Sequence, residues 1–196
     1  MTLILASASP RRRELLQTIG FHFEVQASEV EEVRGDNEAP ERYVARLSEE
    51  KAAAVGQLRK GSWIVAADTT VVIDDQVLEK PQSRDDAVKM LTIIRGRTHL
   101  VHTGVRLQSP SGTGETTTTT SRVTMSSISD SEIEWYVSSG EPMDKAGSYA
   151  IQGIGAIFVE LVEGSYTNVV GLPLETLMKM MRRAGLDPTA LVARHR

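Results

Sequence analysis

The chain has 196 residues, 40% of them hydrophobic and 24% charged, with a formal net charge of −4. That length is enough for a sizeable core, and the acidic balance argues against a general nucleic-acid binder, which needs a basic footprint. The absence of cysteine excludes disulfides, thiolate metal sites and cysteine nucleophiles, and the four histidines (His22, His99, His102, His195) have no metal-binding spacing, so any metal would be a hard cation on oxygen ligands.

Strand and helix signals alternate along the chain. Residues 3–6 read as a buried strand, followed by Ser9 as the N-cap of a helix from Pro10 to about Ile19, which Gly20 stops. Arg11, Arg12 and Arg13 fill the first turn of that helix. The macrodipole is already positive there, and each cation opposes it by roughly 0.3–1 kcal/mol. Free backbone N–H groups add to the same field, so this end suits an anion, with phosphate the first candidate. Residues 21–26 alternate as a second strand, residues 29–38 form a polar loop, and a helix runs from about residue 40 to 57.

Residues 63–73 are strand-rich, and Asp74-Asp75 turns them into a hairpin with residues 76–78. Ser83 caps a helix to about Ile94, with Asp86 in a capping-box position and Gly96 as the stop. Residues 99–108 are a further strand. The threonine run 116–120 leads into 122–125 and reads as an exposed or edge strand, because threonine is β-branched. Ser129 and Glu132 open another helix, and a Gly-rich stretch leads to a strand at 157–162. A last helix from Pro173 or Leu174 to about Ala184 follows, and the tail after about residue 187 is expected to be loose. There is no repeat and no linker. The fold class is α/β with a mixed sheet, since hairpins and crossovers both occur. No apolar run reaches the ~20 residues that cross a membrane, and residues 3–8 are too short for a secretory signal, so a cytoplasmic protein is expected.

Several residues break local rules. Asp68 sits inside WIVAADTTVVI, where an ionised carboxylate costs several kcal/mol unless paired or metal-bound. It reads either as a strand-end aspartate bonding backbone amides or as a base or metal ligand. Val44, Leu47, Lys51 and Val55 share one helical stripe, so Lys51 is either a lysine that snorkels to water or a point charge for phosphate. Glu79 and Lys80 in LEKP follow a strand, on a loop that either presents chemistry or solvates two charges. Glu31-Glu32 and Asp144-Lys145 read as a solvated loop pair and an ordinary turn. No P-loop, full dinucleotide fingerprint or G-x-S-x-G is present, which leaves activated water as the nucleophile for any hydrolysis.

Six stretches together resemble the motifs of the Maf family, in the family's order. They are SASPRR (7–12), AADTTVV (66–72), LEKP (78–81), GRTHLVHTGV (96–105), EPMDKAGSYAIQG (141–153) and SYTNVVGLPL (165–174). The resemblance implies a single Maf-like domain over 1–196. Its fold would be a mixed twisted sheet flanked by helices, with two lobes around a deep cleft, similar to inosine triphosphate pyrophosphatases. It implies a nucleoside triphosphate pyrophosphatase that splits the α–β phosphoanhydride with Mg²⁺ or Mn²⁺, linked to cell-division arrest and to removal of non-canonical nucleotides. The other class in play is a non-catalytic nucleotide-binding regulator of division.

Carried over residue by residue, the resemblance makes Asp68 the proton acceptor and Lys51 and Lys80 the catalytic lysines. Ser9, Arg11 and Arg12 would bind phosphate, and Asp68, Glu32 and Glu79 would be the metal positions. Arg11, Thr69 and Gln152 match the branch acting on dTTP and UTP, and an amide at Gln152 suits the O4/N3 edge of a pyrimidine. Two departures, Ala8 and Ala150 where glycine is common, remove no functional side chain. The expected partner is the nucleotide, with no nucleic acid and no membrane, and the family suggests a homodimer. On the helix carrying the arginines, Arg12 shares a face with Leu15, Leu16 and Ile19 and should point inward, whereas Arg13 solvates.

Overall fold

Turn chemistry sets many of the element boundaries in the computed structural model, which describes residues 2–192. The strands are β1 (Leu3–Leu5), β2 (Glu24–Val25), β3 (Trp63–Ile73), β4 (Gln76–Leu78), β5 (Thr98–Gln108), β6 (Gly114–Met125) and β7 (Val159–Glu163). The helices are α1 (Pro10–Thr18), α2 (Pro40–Leu58), α3 (Arg84–Ile94), α4 (Asp130–Ser138), α5 (Tyr166–Val170) and α6 (Leu174–Arg183). The strands form one mixed sheet in the order β2-β1-β3-β5-β6-β7, with β4 paired to β3. The β1 pairings with β2 and β3 are parallel, and those of β3 with β4 and β6 with β7 are antiparallel.

The chain divides into two compact units. The first holds the described residues of Met1–Asp68, Thr103–Thr119 and Gly171–Arg196; the second holds Thr69–His102 and Thr120–Val170. In the first, α2 lies on the parallel strands through Ala52 and Val55, which pack with Ile4, Ala6, Ile64 and Ala66. Small residues at that contact let helix and sheet approach closely. A second apolar group on α2, Tyr43, Val44 and Leu47, is also buried, and each fully buried Val or Leu contributes about 1.5–3 kcal/mol. At Gly104 the approach reaches its limit: a Cβ there would lie 2.3 Å from the Val44 carbonyl oxygen.

The second unit has its own apolar core, in which Leu91 and Ile94 of α3 meet Tyr136 and Val137 of α4, with Val123 and Phe158 beside them. Asp74 and Asp75, both with positive φ (49° and 62°), make the two-residue β3–β4 turn that matches strand twist. Ser83 accepts the Asp86 N–H at the start of α3, while the Asp86 carboxylate accepts from Gln82 N and so closes the box one residue early. The box at Ser129 and Glu132 is complete.

Three expectations are corrected. The second strand is reduced to Glu24–Val25, since Phe21 makes only an isolated bridge to Val192. The threonine run lies at an edge, as expected: β7 pairs with β6 only over Arg122–Met125, past the run. Its hydroxyls bond to helices of the first unit, Thr116 to Glu49 and Thr118 to the Glu41 carbonyl on α2, and Thr119 to Thr176 on α6. The last strand starts at Val159, because residues 154–158 coil as a 3-10 helix after Gly153. The tail is held as far as Val192 by a 3-10 turn, Pro188–Leu191, with Leu191 buried and its carbonyl accepting from His22 N. Residues 193–196 of that tail lie outside the described residues.

Candidate functional site

The chemistry in the first unit gathers where β1 runs into α1 and where α2 crosses β3. Pro10 starts α1 at a position that needs no N–H, and Ser9 is the N-cap, although its side chain makes no capping hydrogen bond. The Ser9 N–H donates instead to the buried Ser7 Oγ at 3.2 Å. Arg12 also reaches that oxygen through Nη1 at 3.2 Å, while its Nε donates to the Gly171 carbonyl at 2.7 Å. The guanidinium is thus turned inward, as the helical face requires; Arg11 is half-buried and Arg13 exposed.

Lys51 and Asp68 each lose one of their two alternatives. Lys51 is only 5% exposed, so it does not snorkel, and Asp68, 7% exposed, lies mid-strand in β3 rather than at a strand end. Lys51 Nζ donates to Asp68 Oδ1 and to Glu32 Oε1, each at 2.5 Å. Glu32, assigned to a solvated loop pair by its neighbours in sequence, is therefore drawn to the site by a cation nineteen residues on. Tyr43 on α2 helps to fix that loop by donating to the Glu32 carbonyl at 3.1 Å.

Burial is the largest influence on Asp68 and pushes its carboxyl above the usual range; Lys51 and Arg12 pull it down, and Glu32 adds a push upward. Burial likewise lowers Arg12, against the attraction of Asp68 and Glu32 and with the repulsion of Arg11. The Lys51–Asp68 pair is therefore nearly withdrawn from water, a setting in which charge interactions are strong, while Glu32 reaches it from the exposed side.

This donor set fits a hard divalent cation in part. Asp68 and Glu32 bring two carboxylate oxygens to one cationic point, and Mg²⁺ is ordinarily held by one or two carboxylates with phosphate and water completing the shell. Among the described residues no three His, Asp or Glu side chains gather as a ligand group. Glu79, the third expected metal position, is an exposed residue of the second unit whose carbonyl accepts from Gly147 N at 3.2 Å.

Lys80 is exposed and Thr69 half-buried, both in the second unit. Gln152, also there, is half-buried, with its Oε1 shut off from solvent and without a hydrogen-bond partner. The residues that sequence reasoning missed are Ser7 and Gly171. Both lie inside quoted motifs, SASPRR and SYTNVVGLPL, but a small hydroxyl and a backbone carbonyl carry no charge signature to single them out. Among the described residues, no helix is long and apolar enough to cross a membrane.

Comparison with known proteins shows the family. A family model described as "Maf-like protein" matches residues 2–184. A relative from Myxococcus xanthus, named dTTP/UTP pyrophosphatase, is 50% identical over 184 residues, covering 94% of this chain and 93% of its own. One of the same name from Koribacter versatilis is 49% identical over 186 residues, covering 95% and 96%. Among solved structures, a HAM1 protein from Coxiella burnetii aligns with 64% of this chain and 73% of its own, at 15% identity and a TM-score of 0.43.

Proposed function

The chain belongs to the Maf family, and we propose that it is a metal-dependent nucleoside triphosphate pyrophosphatase that hydrolyses dTTP and UTP to the monophosphate and pyrophosphate. The observation that carries this reading is the buried Lys51 ammonium held between Asp68 and Glu32, with Arg12 alongside. A carboxylate raised by burial and held against a lysine ammonium is a base placed to take a proton.

In this mechanism water attacks the α-phosphorus, the bridging oxygen leaves with the β-phosphorus, and Asp68 takes the proton of the attacking water. With Oδ1 engaged by Lys51, Oδ2 is the accepting atom. Arg12, its fork oriented by Ser7 and Gly171, and Arg11 bind phosphate oxygens, for which a planar guanidinium is suited to bidentate contact. Ser9 adds a hydroxyl at the helix N-terminus, where phosphate is favoured. Lys51 transfers its charge from the carboxylates to the developing pyrophosphate, and Lys80 of the LEKP motif shares that role. Asp68 and Glu32 would hold a divalent cation, Mg²⁺ or Mn²⁺, with Glu79 as a further ligand. When bound, the cation supplies charge neutralisation of the phosphates and acidifies water. Thr69 and Gln152 read the base, Gln152 by pairing its amide with the O4/N3 edge of thymine or uracil.

The test is pyrophosphate release from a panel of nucleoside triphosphates with Mg²⁺ or Mn²⁺, with EDTA and Asp68→Asn as parallel controls. Release is expected from dTTP and UTP, abolished by EDTA and lowered about 10²–10⁴-fold in the variant, the span of general-base catalysis. Nucleotide-induced thermal stabilisation without release from any triphosphate would overturn the enzyme and leave a nucleotide-binding regulator.

A further inference from the structure

The segment around Gln152 is tied down on both sides by one acid. Upstream, the Ala150 N–H donates to Tyr136 Oη at 3.0 Å, and that hydroxyl donates to Glu141 Oε1 at 2.7 Å. Downstream, the N–H groups of Ile154 and Gly155 donate to Glu141 Oε2 and Oε1, both at 2.9 Å. Between them stands Gly153 with φ +115°, where a Cβ would lie 2.3 Å from Glu141 Oε2. The carboxylate thus fills space that any other side chain at 153 would claim. Tyr136 cannot drift, because its ring is fully buried and packs edge-on to Phe158 with centroids 5.4 Å apart.

Nothing in these bonds concerns catalysis directly. What they fix is the backbone on either side of Gln152, whose Oε1 is buried without a partner. An orphaned buried amide oxygen is costly unless something completes it. We propose that Glu141, acting through Tyr136 and the backbone of residues 150–155, is the positioning residue that sets the Gln152 amide for base discrimination. The proposal rests on the reading of Gln152 given above. A recognition group must be held within a fraction of an ångström, and three backbone N–H groups gathered by one Tyr–Glu pair supply that restraint.

The experiment measures kcat and KM for dTTP and CTP, which differ at that base edge, in Tyr136→Phe, Glu141→Gln, Gln152→Ala and the Tyr136→Phe/Gln152→Ala double variant. Tyr136→Phe keeps the ring and removes only the hydroxyl. The preference for dTTP in kcat/KM is expected to fall about tenfold or more in each single variant, a shift in position of about 1 Å being worth up to 10²-fold. The loss should appear in KM rather than kcat, and the double variant should lose no more preference than Gln152→Ala alone. Lowered melting temperatures with the preference intact in both Tyr136→Phe and Glu141→Gln, while Gln152→Ala loses it, would overturn this inference alone. An intact preference in Gln152→Ala would overturn the reading of Gln152 and this inference together.

Discussion

Lys51 Nζ lies 2.5 Å from Asp68 Oδ1, joining a lysine of α2 to an aspartate at the middle of β3, both nearly withdrawn from water. Neither charge is stable there alone: removing one partner of a buried pair typically costs about 3–5 kcal/mol. Their meeting gives a pattern-breaking lysine on an apolar stripe and a pattern-breaking aspartate in an apolar strand one common cause.

The pair does not restore Asp68 to its ordinary acidity, because burial outweighs Lys51 and Arg12. With the folded value raised above the ordinary 3.8, the unfolded chain loses this proton first as pH rises. Wild-type stability from this group is therefore full below that pH and declines as pH climbs through the window above it. Asp68→Asn has no such proton. Denaturant unfolding from pH 3.5 to 7 should show the variant gaining on wild type as pH rises, even as it loses activity. A gap moving the other way would contradict the assigned burial effect.

His99 gives the opposite slope. Burial pushes its imidazole down to about 4, with Nε2 2.8 Å from the Tyr149 hydroxyl. Between pH 6.5 and 4 the unfolded chain takes up a proton that the folded one refuses, so stability is complete above 6.5 and drains as pH falls. At about 1.4 kcal/mol per unit, the loss by pH 4 is roughly 3 kcal/mol. Urea midpoints should fall on acidification in wild type and fall less in His99→Gln; parallel titrations would exclude His99 as a source.

Gly104→Ala tests how closely α2 rides on the sheet. The new methyl would meet the Val44 carbonyl oxygen at 2.3 Å and its carbon at 2.5 Å, both backbone atoms that no rotamer change can move. Overpacking of this kind costs about 1–3 kcal/mol, and α2 also carries Lys51. A lower melting temperature and lower activity should therefore appear together. An unchanged melt would mean that helix and strand can part without penalty.

Much of the fold was legible because its signals are local. The Asp74-Asp75 turn, the Ser83 and Ser129 caps, and the stops at Gly20 and Gly96 each depend on a few neighbouring residues. The site was legible where a residue defied its surroundings, as Lys51 and Asp68 do. Glu32 looked ordinary because nothing near it in sequence shows that Lys51 will claim it. The inward face of Arg12 is legible from helix periodicity, yet its Gly171 partner lies 159 residues away and offers only a carbonyl. The threonine run is legible as an edge strand, but not the partners of its hydroxyls on α2 and α6, which no strand pattern announces. Tyr166–Val170, a five-residue helix, was too short to show a period.

The chain passes between the two compact units after residues 68, 102, 119 and 170, and the first three passages fall inside β3, β5 and β6. Asp68 and Thr69, consecutive in one strand, belong to different units. Neither unit is therefore one uninterrupted stretch of coding sequence. A recombination that exchanged one contiguous half of the gene would deliver fragments of both units and the whole of neither. A cut within β3, β5 or β6 would therefore sever both units at once.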